Sequence, residues 1–112
     1  MTRSVNYNDL LLKSLKNPQE ATAHLNAALQ ECKDGSAESQ KLLLMALKNV
    51  ALAQGGMHKL AKKTGLGRES LYKTLSEKGN PKLTTLTTLI NAMGFDFNIS
   101  CSKKEINRAN RS

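Results

Sequence analysis

The chain has 112 residues, 39% of them hydrophobic, enough for one small domain that buries a core without covalent staples. It carries 17 Lys+Arg against 9 Asp+Glu, and the excess is uneven: residues 1–56 hold six basic and five acidic side chains, residues 57–112 eleven and four. A basic half implies a polyanion partner, nucleic acid first and an acidic protein next, while the lack of a run of about 18 apolar residues or of a signal-peptide core excludes a membrane protein and implies a soluble, cytoplasmic one.

In chain order, residues 1–6 are polar and read as frayed. A short helix is predicted from Tyr7 to Lys16, with Leu11 and Leu15 paired at i, i+4 and Leu12 widening the stripe. Asn17-Pro18-Gln19-Glu20 is a helix start: Asn17 caps, Pro18 occupies a position whose N–H has no helical partner, and Glu20 meets the positive end of the dipole. The helix it opens buries Ala21, Leu25, Ala28, Leu29 and Cys32 and stops at Asp34-Gly35. Ser36 caps the next and most apolar helix, which runs through Leu42–Leu47 and Val50–Ala53 and needs cover on more than one side. A buried strand is the competing reading of so apolar a run, but β-branched residues are almost absent from it. Gln54-Gly55-Gly56 ends this central strut.

The stretch from Met57 to Met93 reads as helix, glycine turn, helix, loop and helix, the pattern of a DNA-binding helix-turn-helix. Ala61 lets the second helix pass close, Gly65 takes the left-handed turn, and Leu60, Leu66 and Leu71 supply contacts between the pair. A second helix from Gly67 to Ser76 turns Leu71 and Leu75 inward and Glu69, Tyr72, Lys73 and Ser76 outward, with Arg68 and Ser70 at the flanks. Base edges are assigned to Arg68, Glu69, Ser70, Tyr72 and Lys73, and phosphates to Lys59, Lys62, Lys63 and Lys78. Glu69 has two readings: acceptor for a cytosine amino group, or surface charge satisfied by Lys73 at i, i+4. An ordinary helical hairpin with a solvated face is the bland alternative for the whole unit.

Glu77 to Pro81 forms a loop. Leu83, Leu86, Leu89, Ile90 and Met93 then recur at helical spacing and are expected to pack under the reading unit, with Thr84, Thr85, Thr87 and Thr88 outward or capping and Gly94 closing the helix. Phe95, Phe97 and Ile99 alternate with Asp96, Asn98 and Ser100, a strand signal over 95–100. A lone strand needs another chain, a partner or a second strand to satisfy its backbone. The tail 102–112, with Lys103, Lys104, Arg108 and Arg111, adds phosphate attraction or is simply a solvated end. Cys32 and Cys101 lack metal-ligand spacing and read as reduced small hydrophobes; His24 and His58 are isolated. No P-loop, GxSxG or HExxH occurs, so neither enzyme, cofactor nor metal is expected. The fold class is therefore all-α: a bundle of five to six short helices with one short C-terminal strand. Residues 1–56 would share the single core and offer a partner surface, 57–101 would hold the DNA-binding region, and 102–112 would form a basic tail.

ATAHLNAALQE, followed by ALKNVALAQGGMHKLAKKTGLGRESLYKTLSEKGNPKLTTLTTLINAMGFDFNIS, closely resembles the probable addiction-module antidote family, the HigA-like antitoxins with a phage-repressor type helix-turn-helix. The resemblance spans roughly residues 7–100 and is most specific from Leu60 to Pro81, with RESLY, LSEKGNP and the GL turn. It implies a lambda-repressor-like, all-helical DNA-binding domain, usually a homodimer, encoded beside a small RelE/ParE-type toxin that typically cleaves mRNA. Such an antitoxin neutralises the toxin and represses its own promoter at a double-stranded DNA operator. Two residues depart from the pattern: Gly67 stands where the family often has a Ser cap, and Thr74 where many phage-type repressors carry an apolar residue, with Leu75 filling inward instead. Two functions follow, a sequence-specific repressor and, as the alternative, a protein-binding module whose residues 7–53 cover a toxin's active site.

Overall fold

The computed structural model describes residues 7–32 and 35–98, and their regular structure is helical. The order is α1 (Tyr7–Ser14), α2 (Pro18–Glu31), α3 (Ala37–Ala53), α4 (Gly56–Thr64), α5 (Arg68–Thr74) and α6 (Leu83–Ala92). The readings made for residues 1–6, for Cys101 and for the basic tail lie outside the described residues. No strand forms among the described residues.

The helix starts follow from their side chains. Asn17 Oδ1 accepts from the backbone N–H groups of Gln19 (2.8 Å) and Glu20 (3.2 Å), with Pro18 at the first helical position. Ser36 Oγ accepts from Ser39 N–H at 3.1 Å to start α3. The corner between α2 and α3 is then closed by side chains: Ser39 Oγ donates to the Glu31 carbonyl at 2.8 Å, and Cys32 Sγ donates to the Ser39 carbonyl at 3.1 Å. The Glu31 carbonyl left over at the end of α2 is thereby satisfied. Across the molecule the Gln54 amide donates to the carbonyls of Leu15 (2.7 Å) and Lys16 (3.2 Å), tying the end of α1 to the end of α3.

A single core runs through all six helices. Leu15 of the α1–α2 turn, Ala21 and Leu25 of α2, and Leu44, Leu47 and Val50 of α3 meet Met57 and Leu60, Leu71 and Leu75, and Leu89 and Ile90. α3 is its strut, packing against α1, α2 and α4. Cover is incomplete on one side, however: Leu42 is 48% and Met45 50% exposed. Leu83, expected inside, is 69% exposed, because it opens α6 one turn ahead of the part that reaches the core. Leu66, expected between α4 and α5, is also exposed; it sits on the turn between them, where Thr64 Oγ1 accepts its N–H at 3.2 Å.

The end of α6 accounts for the alternating segment. Gly94 N–H donates to Asn91 O (3.0 Å) and Phe95 N–H to Ile90 O (3.1 Å), the paired bonds of a Schellman closure. Phe95 N–H is thus committed to the helix end, and residues 95–98 continue without regular structure. Of the strand expected over 95–100, this described part is not strand; Ile99 and Ser100 lie outside the described residues.

Candidate nucleic-acid interface

α4 and α5 are joined by Gly65-Leu66-Gly67. Gly65 takes φ +79°, and its N–H donates to the Ala61 carbonyl at 2.8 Å, which ends α4 in a conformation a side chain would strain. Thr64 Oγ1 donates to the Leu60 carbonyl at 2.9 Å, so the last turn of α4 is satisfied twice over. The chain leaves Gly67 in an extended conformation (φ −72°, ψ 150°), with no side chain capping α5.

Within this second helix the inward positions are Leu71 and, one turn on at its cap, Leu75, both fully buried. Their burial fixes the rotation of α5 and leaves Arg68, Glu69, Ser70, Tyr72 and Lys73 exposed together. Thr74 is half-buried, as the inward turn of its neighbour Leu75 requires. α5 ends two residues short of the expected Ser76, whose Oγ donates back to Lys73 O at 2.8 Å. Among the described residues the ion pair found is Lys41–Glu38, at 3.7 Å on α3. Glu69 and Lys73 are therefore not paired with each other, and both side chains are exposed.

The expected phosphate-binding lysines separate into groups. Lys78 shares a shallow hollow with Lys73, Ser76 and Asn80, beside the outer face of α5. The loop that carries it is held from α3: Gln40 Nε2 donates to Gly79 O (3.2 Å) and to Asn80 Oδ1 (3.3 Å). Lys62 is exposed on one flank of α4, whereas Lys59 and Lys63, i and i+4, line a different hollow with Ala92 and Met93. Lys63 Nζ donates to the Ala92 carbonyl at 3.4 Å, at the end of α6 where a cation meets the negative end of the helix dipole.

One cation beside α5 was not anticipated from the sequence. Lys48 of α3 is half-buried, and its ammonium lies 5.8 Å from the centre of the Tyr72 ring. That distance is within cation–π range, worth about 0.5–1 kcal/mol at a partly exposed site. The signal in the sequence was thin: Lys41 and Lys48 are seven apart and so share a face of α3, but nothing local says that this face borders α5.

The clefts elsewhere lack a reactive arrangement. An apolar cleft of about 220 Å³ between α2, α3 and α6 is bordered by Leu25, Leu47, Leu86, Ile90 and Phe95, and Asp96 is its single titratable lining residue. Among the described residues no group of three or more His, Cys, Asp or Glu is placed to hold a metal. The exposed Leu42 and Met45 share an open groove with Ala27, Asn49 and His24, whose Nε2 is buried without a hydrogen-bond partner.

The molecule is thus a small all-helical protein whose distinctive surface is a charged helix face. The chain belongs to the family described as "Probable addiction module antidote protein", whose model matches residues 8–101. It is also 34% identical over 89 residues to an uncharacterized protein of Haemophilus influenzae, a match covering 80% of this chain and 84% of the relative. No solved structure matches the chain. Membership of an antidote family points to an antitoxin role, regulatory rather than enzymatic, and to a toxin as partner. No helix among the described residues is long and apolar enough to cross a membrane.

Proposed function

We propose that the chain is a HigA-like antitoxin that works as a sequence-specific repressor: a homodimer in the cytoplasm that binds its own operator and neutralises a RelE/ParE-like toxin. The observation that carries the DNA-binding half is the rotation of α5. With Leu71 and Leu75 turned into the core, its Arg, Glu, Ser, Tyr and Lys side chains are exposed together, in the half of the chain with net charge +7.

In this reading α4–Gly65–α5 is a helix-turn-helix with α5 in the major groove. Arg68 and Lys73 donate to guanine O6/N7, Ser70 bonds a base or phosphate, and Tyr72 contributes its hydroxyl and ring edge. Glu69, unpaired with Lys73, accepts from a cytosine amino group. Lys62 and Lys78 neutralise phosphates beside the groove. Lys63 joins them only by leaving the Ala92 carbonyl at the end of α6 and so contributes less; Lys59 lines the same hollow one turn earlier.

The antitoxin half has its own candidate surface. Leu42 and Met45 are exposed side by side in the open groove that His24 also lines, an apolar patch that a protein partner would bury. A chain with this face alone in use would be the protein-binding module that sequesters a toxin without reading DNA.

Anisotropy titration against a duplex covering the region just upstream of the chain's own reading frame, at several salt concentrations, tests the repressor reading. Saturable binding whose affinity falls steeply with salt is expected. No binding, or an affinity indifferent to salt, would leave only the sequestering function. Co-purification with the product of the adjacent gene tests the antitoxin half, and failure of the full chain to retain that product would remove it.

A further inference from the structure

α3 reaches the reading unit at two points, the loop that follows α5 and the outer face of α5 itself. Gln40, near its start, holds the loop that follows α5 through Gly79 O and Asn80 Oδ1. Lys48, two turns further along, places its ammonium 5.8 Å from the centre of the Tyr72 ring. α3 carries a second outward cation on this face, Lys41, and the two differ in one respect. Lys41 is paired with Glu38, while no described carboxylate pairs with Lys48. The aromatic face draws the cation but leaves its N–H groups without acceptors, so the charge is held in place and still open to an anion.

We propose that Lys48 is a DNA-contacting residue contributed by α3: it donates to a backbone phosphate at the edge of the groove that α5 enters, and its stacking on Tyr72 holds that ring in its reading position. The proposal rests on the repressor reading given above. Tyr72 is exposed on the outer face of α5, so an ammonium resting on its ring is next to whatever that face approaches. Phosphates flank every position of a major groove, and an unpaired lysine at its border meets one with little movement. Phosphate contact and ring placement are thus joined in a single side chain, which makes Lys48 both a contact and a positioning residue.

The test uses the full chain, wild type and the variants Lys48→Met and Lys48→Arg, with anisotropy against the upstream duplex and against an unrelated duplex over a range of NaCl concentrations. Met keeps the apolar stem, so a cooperative melt equal to wild type is expected and is checked first. For Lys48→Met the slope of log K against log salt should shrink by about 0.9 on both duplexes, with affinity down roughly five-fold at 0.15 M salt. Lys48→Arg should restore the slope. Wild-type binding with an unaltered slope in Lys48→Met would overturn the proposal and leave the repressor reading standing. A wild-type chain that binds neither duplex would overturn the repressor reading, and this inference with it.

Discussion

On the proposed reading, single side chains on the α5 face would have separable roles, because the core fixes which way each one points. Lys73 projects outward one position past Tyr72 and is not tied to Glu69, so its full donor capacity is available to a base edge. Lys73→Ala is expected to weaken operator binding by about 1–3 kcal/mol and to relax specificity at one base position, measured by titration against single-base operator variants. Lys62→Ala should instead weaken binding equally to all duplexes and lower the salt slope by about one. If both variants behaved alike, the division between base and phosphate contacts would be wrong. Stability at this scale is exposed at Gly79. A Cβ there would run into the Thr74 carbonyl at the end of α5, a backbone group that cannot swing aside. Gly79→Ala should cost about 1–3 kcal/mol, as overpacking does, and be seen as a lower denaturant midpoint. A midpoint at the wild-type value would mean that the loop after α5 yields freely and that Gln40 does not brace it.

Among elements, α5 is the shortest and, like α4 and α6, starts without a side-chain cap. Gly67 provides its N-cap geometry but no side chain to accept the free N–H groups of the first turn. The Gly67 φ of −72° suits any residue, and a Cβ there meets nothing within 4 Å. Gly67→Ser should therefore stabilise by about 0.5–1 kcal/mol, through the cap and through a less free unfolded chain. The corresponding rise in melting temperature is of the order of several degrees, and a fall would show that the loop entering α5 is not as open as it looks. The elements were legible in the sequence wherever their cause is local. Asn17-Pro18, Ser36 and Gly65 set helix ends through bonds within a few residues of themselves, and Leu71 and Leu75 follow from helical spacing. What depended on how elements meet was not legible. Lys63 turns to the end of α6 and Lys48 to Tyr72 because of packing between helices distant in sequence. The alternation of Phe95 to Asn98 was a sound strand pattern, but a strand needs a neighbour, and the Schellman closure of α6 takes the Phe95 N–H first.

For the molecule as a whole, α3 separates two surfaces of different chemistry. Lys48 lies toward α5 with Lys41 on the same side of α3, while Leu42 and Met45 lie in the groove against α2, about 40–120° from the lysines around a helix that advances about 100° per residue. One surface joins Lys48 to the cations of α5 and is suited to phosphates; the other, around Leu42 and Met45, is apolar. Operator and toxin would then be held on neighbouring faces of one rigid strut, and each face could be disabled alone. The double variant Leu42→Asp with Met45→Asp is expected to lose co-purification of the adjacent gene product while retaining salt-dependent binding to the upstream duplex. Because both side chains are already half in water, the substitution costs little folding energy, and an unchanged melting profile checks this. Lys73→Ala should show the converse, weaker on DNA and undiminished toward the toxin. Loss of both activities in either variant would mean that the two faces form one continuous site. In that event toxin and operator would compete for the antitoxin, and repression would be relieved whenever toxin is in excess.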